Sequence, residues 1–308
     1  MKKSSLFLRR SLTVLLCAAV VFLLPAITPV RAASPLPEFC SETEDTGLIG
    51  GEGSGLINIL LIGQDRREES RARSDCVILC SFHPESKKII ITSFLRDLYV
   101  EIPGYEGNRL NAAYAIGGMP LLQQTMQKNF SLYMDGCIEV DFSRFSQIID
   151  ILGGVTIELR QDEADAINKS VPGSLTAGIH LLNGDQALAY SRIRNLDDDG
   201  DFSRTGRQRK LLSSLLDSYR NADLLTILSM VVDTLPMIST DLSKRQILVL
   251  AAKLFPLLDD PEILSQRIPG DGTYSYSTIR NMDVLTADME NIRGQLRESL
   301  LSPGENQG

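Results

Sequence analysis

The chain is short of the side chains most used for acid–base and metal chemistry. It has two histidines, His83 and His180, and five cysteines, none in a CxxC pair. A zinc centre draws on such ligands at close spacing, so these counts disfavour one. No Ser–His or Cys–His pairing for nucleophilic catalysis is evident either. Positive charge is also in deficit: 31 Lys and Arg against 39 Asp and Glu give a net charge of −8. Phosphate-backbone binding needs a basic face, and a pI near 5.0 argues against one. Any anion site must therefore be local, built from a few placed arginines. Internal repeats and low-complexity tracts are missing too. Cys76 and Cys80 stand four apart in an apparent strand, roughly 13 Å between Cα atoms, too far for a disulfide.

What remains is an ordinary globular composition, 43% apolar and 23% charged over 308 residues, enough for one large domain or two small ones. One long apolar run exists. "MKKSSLFLRR" carries four positive charges and precedes "SLTVLLCAAVVFLLPAITPV", about twenty residues without a charge, near what a bilayer core requires. The positive-inside rule puts everything after residue 31 outside the cytoplasm. Residues 1–31 are read as a signal-anchor in the cell membrane, or as a signal peptide that leaves the protein secreted, since "VRAAS" holds small residues suited to cleavage. Residues 32–55, rich in Pro, Gly and acidic residues, read as a tether. The extracytoplasmic domain is expected over 56–302, with a tail at 303–308.

Within that domain "LINILLIG", "DCVILCSF" and "KKIIITSFL" read as buried strands, the last two joined by the hairpin loop "HPES". "RLNAAYAIGGMPLLQQTMQKNF" reads as helix broken at Gly117-Gly118. "GCIEVDF" follows as strand, "SRFSQIIDIL" as helix capped by Ser143, and "GGVTIEL" as strand. In "NGDQALAYSR", Asn183 and Gln186 approximate a capping box. Beyond residue 204 the pattern is mostly helical, closed by a late strand, "EILSQRI", and a terminal helix. Interspersed strands and helices predict an α/β fold: a three-layer α-β-α sandwich with a mixed central sheet.

The first three strands return charges to one sheet edge. A hairpin centred between Glu85 and Ser86 sets Asp75 opposite Arg96, with Cβ atoms about 5 Å apart. Asp65, Arg66, Arg73, Asp75, Arg96 and Asp97 are expected to gather there. Salt bridges alone could satisfy some of them, but an unpaired charge beside buried strands is costly. A second concentration lies in "SRIRNLDDDGDFSRTGRQRK", with five arginines, one lysine and four aspartates in twenty residues. At helical spacing Arg204, Gln208, Leu212, Leu215 and Tyr219 form one stripe, which points Arg204 and Gln208 inward at a helix N-terminus favourable to anions. Arg192 and Arg194 share a side only if the chain there is extended. Of the loop aspartates, Asp201 is the one expected to turn inward; the spacing does not fit a calcium loop. Guanidiniums with paired carboxylates suit phosphoryl chemistry, in which positioning and charge neutralisation by Arg and a divalent metal dominate.

Six segments in order, "ARSDCVILCSF", "SFLRDLYVEIPG", "RLNAAYAIGG", "IDILGGV", "GIHLLNGDQALAYSRIR" and "GDFSRTGRQRKLL", resemble the motifs of the LytR-CpsA-Psr family over residues 56–220. The resemblance implies a phosphotransferase that moves an anionic glycopolymer, of wall teichoic acid or capsular type, from a polyprenyl-pyrophosphate donor to a peptidoglycan hydroxyl. By matching motif, Arg73, Arg96, Arg192, Arg194 and Arg204 contact the pyrophosphate, with Arg109 and Gln208 also on the substrate. Asp75 and Asp97 lie near Mg²⁺ (or Mn²⁺). Asp201 either orients an arginine or serves as general base. Phe94-Leu95 stands where the family often has Ile-Pro, and Arg109 where lysine is frequent. Two other readings share the arginine cluster: a non-catalytic polyprenyl-phosphate-binding regulator, and a metal-dependent lipid pyrophosphatase.

Overall fold

A computed structural model describes residues 48–51, 53–64, 74–194, 196 and 201–301. The N-terminal apolar run, most of the tether, Asp65, Arg66, Arg73 and Asp197–Asp199 lie outside the described residues, as does the 303–308 tail. Among the described residues no helix is long and apolar enough to cross a membrane.

The three strands read from the sequence are β1 (Ile57–Gln64), β2 (Ser74–His83) and β3 (Lys88–Phe94). They form an antiparallel meander in which Ile78 faces Ser93 and His83 faces Lys88. That register centres the hairpin between Glu85 and Ser86, as expected. Two short strands, β4 (Tyr99–Val100) and β5 (Asn108–Arg109), pair antiparallel with each other. β6 (Gly136–Asp141) runs parallel to β1, and β10 (Glu262–Ile268) parallel to β3. The short β9 (Ser239–Thr240) closes the far edge antiparallel to β6, giving the mixed order β10-β3-β2-β1-β6-β9.

Alternate residues of each strand feed opposite layers, the outcome of a period of two. Val77 and Leu79 of β2 join a core beneath α1 (Leu110–Phe130) and α8 (Met289–Leu301), whereas Ile78 and Cys80 face α5 (Asp201–Ser218) and α7 (Lys244–Leu254). Both faces are covered, which is why these strands read as unbroken apolar runs. The expected three-layer sandwich is thus present. α1 breaks where anticipated: Gly118 adopts φ 66°, ψ −156°, a conformation only glycine enters freely, and Pro120 then starts the second segment without needing an N–H partner.

A third cluster flanks the sandwich. It joins α2 (Phe142–Ile151), α3 (Gln161–Ser170), α4 (Gly184–Ser191) and the hairpin β7 (Val155–Leu159) and β8 (Gly178–Leu182). Val155, Ile157 and Leu159 point in and Thr156 and Glu158 out. α4 carries the capping box read from the sequence, with Asn183 accepting from the Gln186 N–H at 3.0 Å. α2 differs from expectation. Its cap is Asp141, not Ser143, because the helix starts directly off β6 and the Asp141 carboxylate takes the Arg144 N–H at 2.8 Å and the Arg144 guanidinium at 3.2 Å.

α5 is the wedge between the two halves. Leu211 and Leu215 enter the flanking cluster, while Leu212 and Leu216 pack on the sheet. The expected single stripe is therefore split, and Tyr219 falls beyond the helix end, its hydroxyl donating to the Leu152 carbonyl at 2.6 Å. A second unexpected element is a hairpin, β11 (Tyr274–Ile279) with β12 (Met282–Ala287). Its two-residue loop, Arg280-Asn281, has both residues at positive φ, 51° and 59°, the primed turn that matches strand twist.

Candidate active site

Asp75 opens β2, and Arg96 and Asp97 follow β3, so extending the hairpin register brings Asp75 across from Arg96. Arg96 Nη1 donates to Asp75 Oδ1 at 2.5 Å, and its Nε lies 3.6 Å from Asp97 Oδ2. One guanidinium therefore sits between two carboxylates. Arg194 reaches the same Asp75 oxygen at 3.7 Å. From α5, Arg204 Nη2 donates to the Asp75 carbonyl at 3.3 Å. Arg204 is only 2% exposed; a charge so deep persists because polar groups surround it. Arginines from three separate segments thus meet at one aspartate.

Arg192 takes a different direction. It ends α4 at φ −101°, ψ −4°, which is not extended, and its guanidinium lies 4.8 Å from the Phe142 ring centroid. The alternation that would have put Arg192 and Arg194 on one side does not apply. Asp201 opens α5, and its side chain lies outside the described residues, as Arg73 does altogether. Arg109 lies at the edge of the site: its Nε is 3.5 Å from Asp97 Oδ1, and it donates to the Asp283 carbonyl at 2.9 and 2.5 Å. Gln64 is structural: buried, it bonds Glu139 at 2.5 Å and accepts from Tyr114 at 3.1 Å.

Asp75, Arg96, Asp97 and Arg109 line a cleft of about 610 Å³ whose walls include Phe94, Leu95, Phe202, Arg204 and Gln208 and whose rim is the β11–β12 hairpin, whereas Arg192 and Arg194 line a separate pocket beside Lys169 and Leu188. Cys76 also lines it. Burial pushes that thiol up to about 12, against the lowering effect of Arg204, so it is no nucleophile near neutrality. Gln208 Oε1 and Ser93 Oγ are buried at the cleft without hydrogen-bond partners among the described residues. Two carboxylates with nearby unsatisfied oxygens are hard donors of the kind that hold a hydrated Mg²⁺ alongside substrate phosphates. Among the described residues no group of three or more ligating side chains occurs, so phosphate oxygens and water would complete such a shell.

Sequence reasoning missed Arg207. It is 5% exposed, bonds Glu163 at 2.8 Å and donates to the Ile193 carbonyl at 3.3 Å. It ties α5 to the segment that carries Arg194. Its spacing of three from Arg204 placed it beside the inward stripe, which was the available signal. The hairpin was missed as well, although "YSYSTIRNMDVLTA" alternates polar and apolar around a turn-forming Asn281.

The layer between the sheet and helices α5 and α7 is apolar. Leu61, Phe82, Leu212, Leu216, Leu254 and Ile263 are each only partly buried. α6 (Leu224–Thr234), "LLTILSMVVDT", has no buried residue despite its composition.

The family model LytR_cpsA_psr matches residues 39–298. Regulatory protein MsrR of Staphylococcus aureus (strain COL) is 36% identical over 166 residues, 53% of this chain and 49% of that protein. Polyisoprenyl-teichoic acid–peptidoglycan teichoic acid transferase TagU of Oceanobacillus iheyensis is 35% identical over 185 residues, 58% of this chain and 56% of that protein. The chain thus spans about half the length of the first curated relatives it matches. Among solved structures, "TagT bound to LI-WTA" superposes with a TM-score of 0.66 at 25% identity, covering 85% of this chain and 94% of that one. With a family match across most of its length, this chain belongs to the LytR_cpsA_psr family.

Proposed function

We propose that the protein transfers an anionic glycopolymer from a polyprenyl-pyrophosphate carrier to peptidoglycan, as an Mg²⁺-dependent phosphotransferase at the outer face of the cell membrane. The observation that carries this is the convergence of Arg96, Arg194 and Arg204 on Asp75, with Asp97 on the other side of Arg96. Guanidiniums bind diphosphate oxygens bidentately and neutralise charge that grows in the transition state. The printed name of TagU, a polyisoprenyl-linked teichoic acid transferase acting toward peptidoglycan, supports the same substrate class. The partly buried apolar side chains between the sheet and α5 and α7 support a lipid carrier.

In this reading Arg96, Arg194 and Arg204 hold the diphosphate, and Arg73 is assigned with them by its motif alone, whereas Arg192 is turned onto Phe142. The acceptor hydroxyl attacks the phosphorus that bears the polymer. A new P–O bond forms as the bond to the bridging oxygen breaks, releasing polyprenyl monophosphate. The hydroxyl proton passes to a carboxylate of the cleft. Asp75 and Asp97 would hold Mg²⁺, which when bound supplies Lewis-acid neutralisation of the phosphate oxygens. Gln208 Oε1, buried at the cleft without a partner among the described residues, would accept from a substrate hydroxyl.

The test is full-length protein in detergent with Mg²⁺, a pyrophosphate-linked donor and peptidoglycan. Release of polyprenyl phosphate with linked polymer is expected, and Asp75→Ala should lower turnover by about 10²–10³ while lipid binding remains. Binding without turnover across several donors would sink the transferase reading in favour of a binding module. Free sugar phosphate without linkage, even when acceptor is present, would mark a pyrophosphatase.

A further inference from the structure

Tyr276 is 75% exposed, the most exposed aromatic among the described residues, and it lies on the rim of the cleft. It is nevertheless held in place. Its ring meets Tyr274 edge to face at 5.8 Å and 83°, and Tyr274 stacks on Phe202 at 5.3 Å and 27°. The Arg267 guanidinium caps Phe202 at 4.4 Å. The ladder therefore begins at the first turn of α5, beside Arg204, and ends in an open ring face. The hairpin that carries it is fastened to the catalytic loop, since the Leu285 N–H donates to the Asp97 carbonyl at 3.0 Å and Arg109 holds the Asp283 carbonyl. Two positions along β11, Thr278 donates to Asp283 at 3.0 Å, and both side chains are exposed.

From this arrangement we infer that Tyr276 is the platform of a glycan subsite: one pyranose ring stacks on it while Thr278 and Asp283 take equatorial hydroxyls. The inference rests on the transferase reading for its place in a reaction, though not for its geometry. A pyranose presents axial C–H bonds on one face and hydroxyls around its edge. The C–H face suits the negative face of an aromatic quadrupole, and the hydroxyl edge suits a carboxylate and a hydroxyl two residues away. A lipid tail would need enclosure, which a ring with three quarters of its surface in water does not offer. A wholly structural tyrosine would bury its ring, as Tyr190 and Tyr114 do at 1% and 3% exposure. A pyranose of the acceptor strand and one of the donor polymer present the same face, so the chemistry of the subsite is shared by both partners of the reaction.

Saturation-transfer NMR on the full chain in detergent micelles, with a β-1,4-linked N-acetylglucosamine tetrasaccharide as probe, tests the subsite. Transfer to the axial ring protons is expected. Tyr276→Ala should weaken binding about fivefold or more, and Tyr276→Phe should retain it. Polyprenyl pyrophosphate binding, measured on the same three proteins, should not change. Equal tetrasaccharide binding by wild type and Tyr276→Ala, or none by wild type at millimolar probe, overturns the subsite even when the lipid diphosphate binds. Loss of lipid diphosphate binding in the wild type, with tetrasaccharide binding intact, would instead overturn the transferase reading and leave the subsite standing. In turnover assays, a raised KM for peptidoglycan in Tyr276→Ala assigns the ring to the acceptor, and a raised KM for the donor assigns it to the polymer.

Discussion

Replacing Glu163 by alanine offers a demanding test of how the arginine cluster is positioned. Glu163 and Arg207 have side chains 6% and 5% exposed and meet at 2.8 Å. Removing the carboxylate takes its Glu163 counter-ion away from a guanidinium deep in the protein. Breaking a buried pair from one side costs about 3–5 kcal/mol. Glu163 also accepts from the Arg160 N–H at 3.1 Å at the start of α3, so the upper half of that range is expected. With a urea m-value of about 3 kcal/mol/M, the unfolding midpoint should fall by about 1.3–1.7 M. The paired replacement Glu163→Leu with Arg207→Met removes both charges and keeps the volume; such swaps are often neutral or stabilising, so most of the loss should return. The Ile193 carbonyl would still lose its donor, and with it the tether to Arg194. The doubly changed protein should therefore be stable and yet bind lipid diphosphate more weakly. Urea titration by circular dichroism of the two variants decides the matter. A midpoint shift below about 0.3 M for Glu163→Ala, or a doubly changed protein less stable than either single one, would refute the account of this pair.

Other expectations follow from single contacts. Asn58 is fully buried, donating to the Ile49 and Tyr133 carbonyls at 3.1 and 2.9 Å and accepting from Ser81 at 2.7 Å; Asn58→Ala should cost about 3 kcal/mol in thermal unfolding, and a loss under about 1 kcal/mol would contradict this. Arg109→Ala should leave global stability within about 1 kcal/mol but speed hydrogen exchange at the Leu285 amide, because the hairpin loses its hold on Asp97; an unchanged exchange rate would show that Arg109 does not anchor it. Burial, with Lys88 beside it, lowers the His83 pKa below 6.5, against an opposing backbone bond from Leu300. The native state therefore binds fewer protons than the unfolded chain, and stability is present above about pH 6.5 and falls as pH drops toward the folded pKa, by less than ~1.4 kcal/mol per unit. His83→Gln should flatten the profile between pH 7 and 5, and a profile identical to wild type would exclude the group.

The parts of this fold that were legible in the sequence are those specified locally and redundantly. The β2–β3 register followed from a short loop between two apolar runs, and with it came the Asp75–Arg96 pair, because a period of two leaves no freedom once the turn is placed. Asn183 announced α4 through its own side chain. The misses have a different origin. Arg192 and Arg194 share a side only where the backbone is extended, and the helical C-terminus of α4 does not meet that condition; nothing within two residues of Arg192 announces where that helix stops. Arg207 was passed over because a buried arginine looks like a surface one until its partner is known, and Glu163 stands 44 residues away. The same distance problem hid the role of the hairpin. The family resemblance implies that Arg109 is a substrate ligand, yet it also clamps a carbonyl 174 residues downstream. A residue with this double attachment couples the rim of the cleft to its acidic floor, so a ligand that moved the hairpin would also draw on Asp97. Placement of charge was thus readable where strands fixed it. Connection between the charged floor and the aromatic rim was not, since it depends on contacts made only after both ends of the domain have folded together.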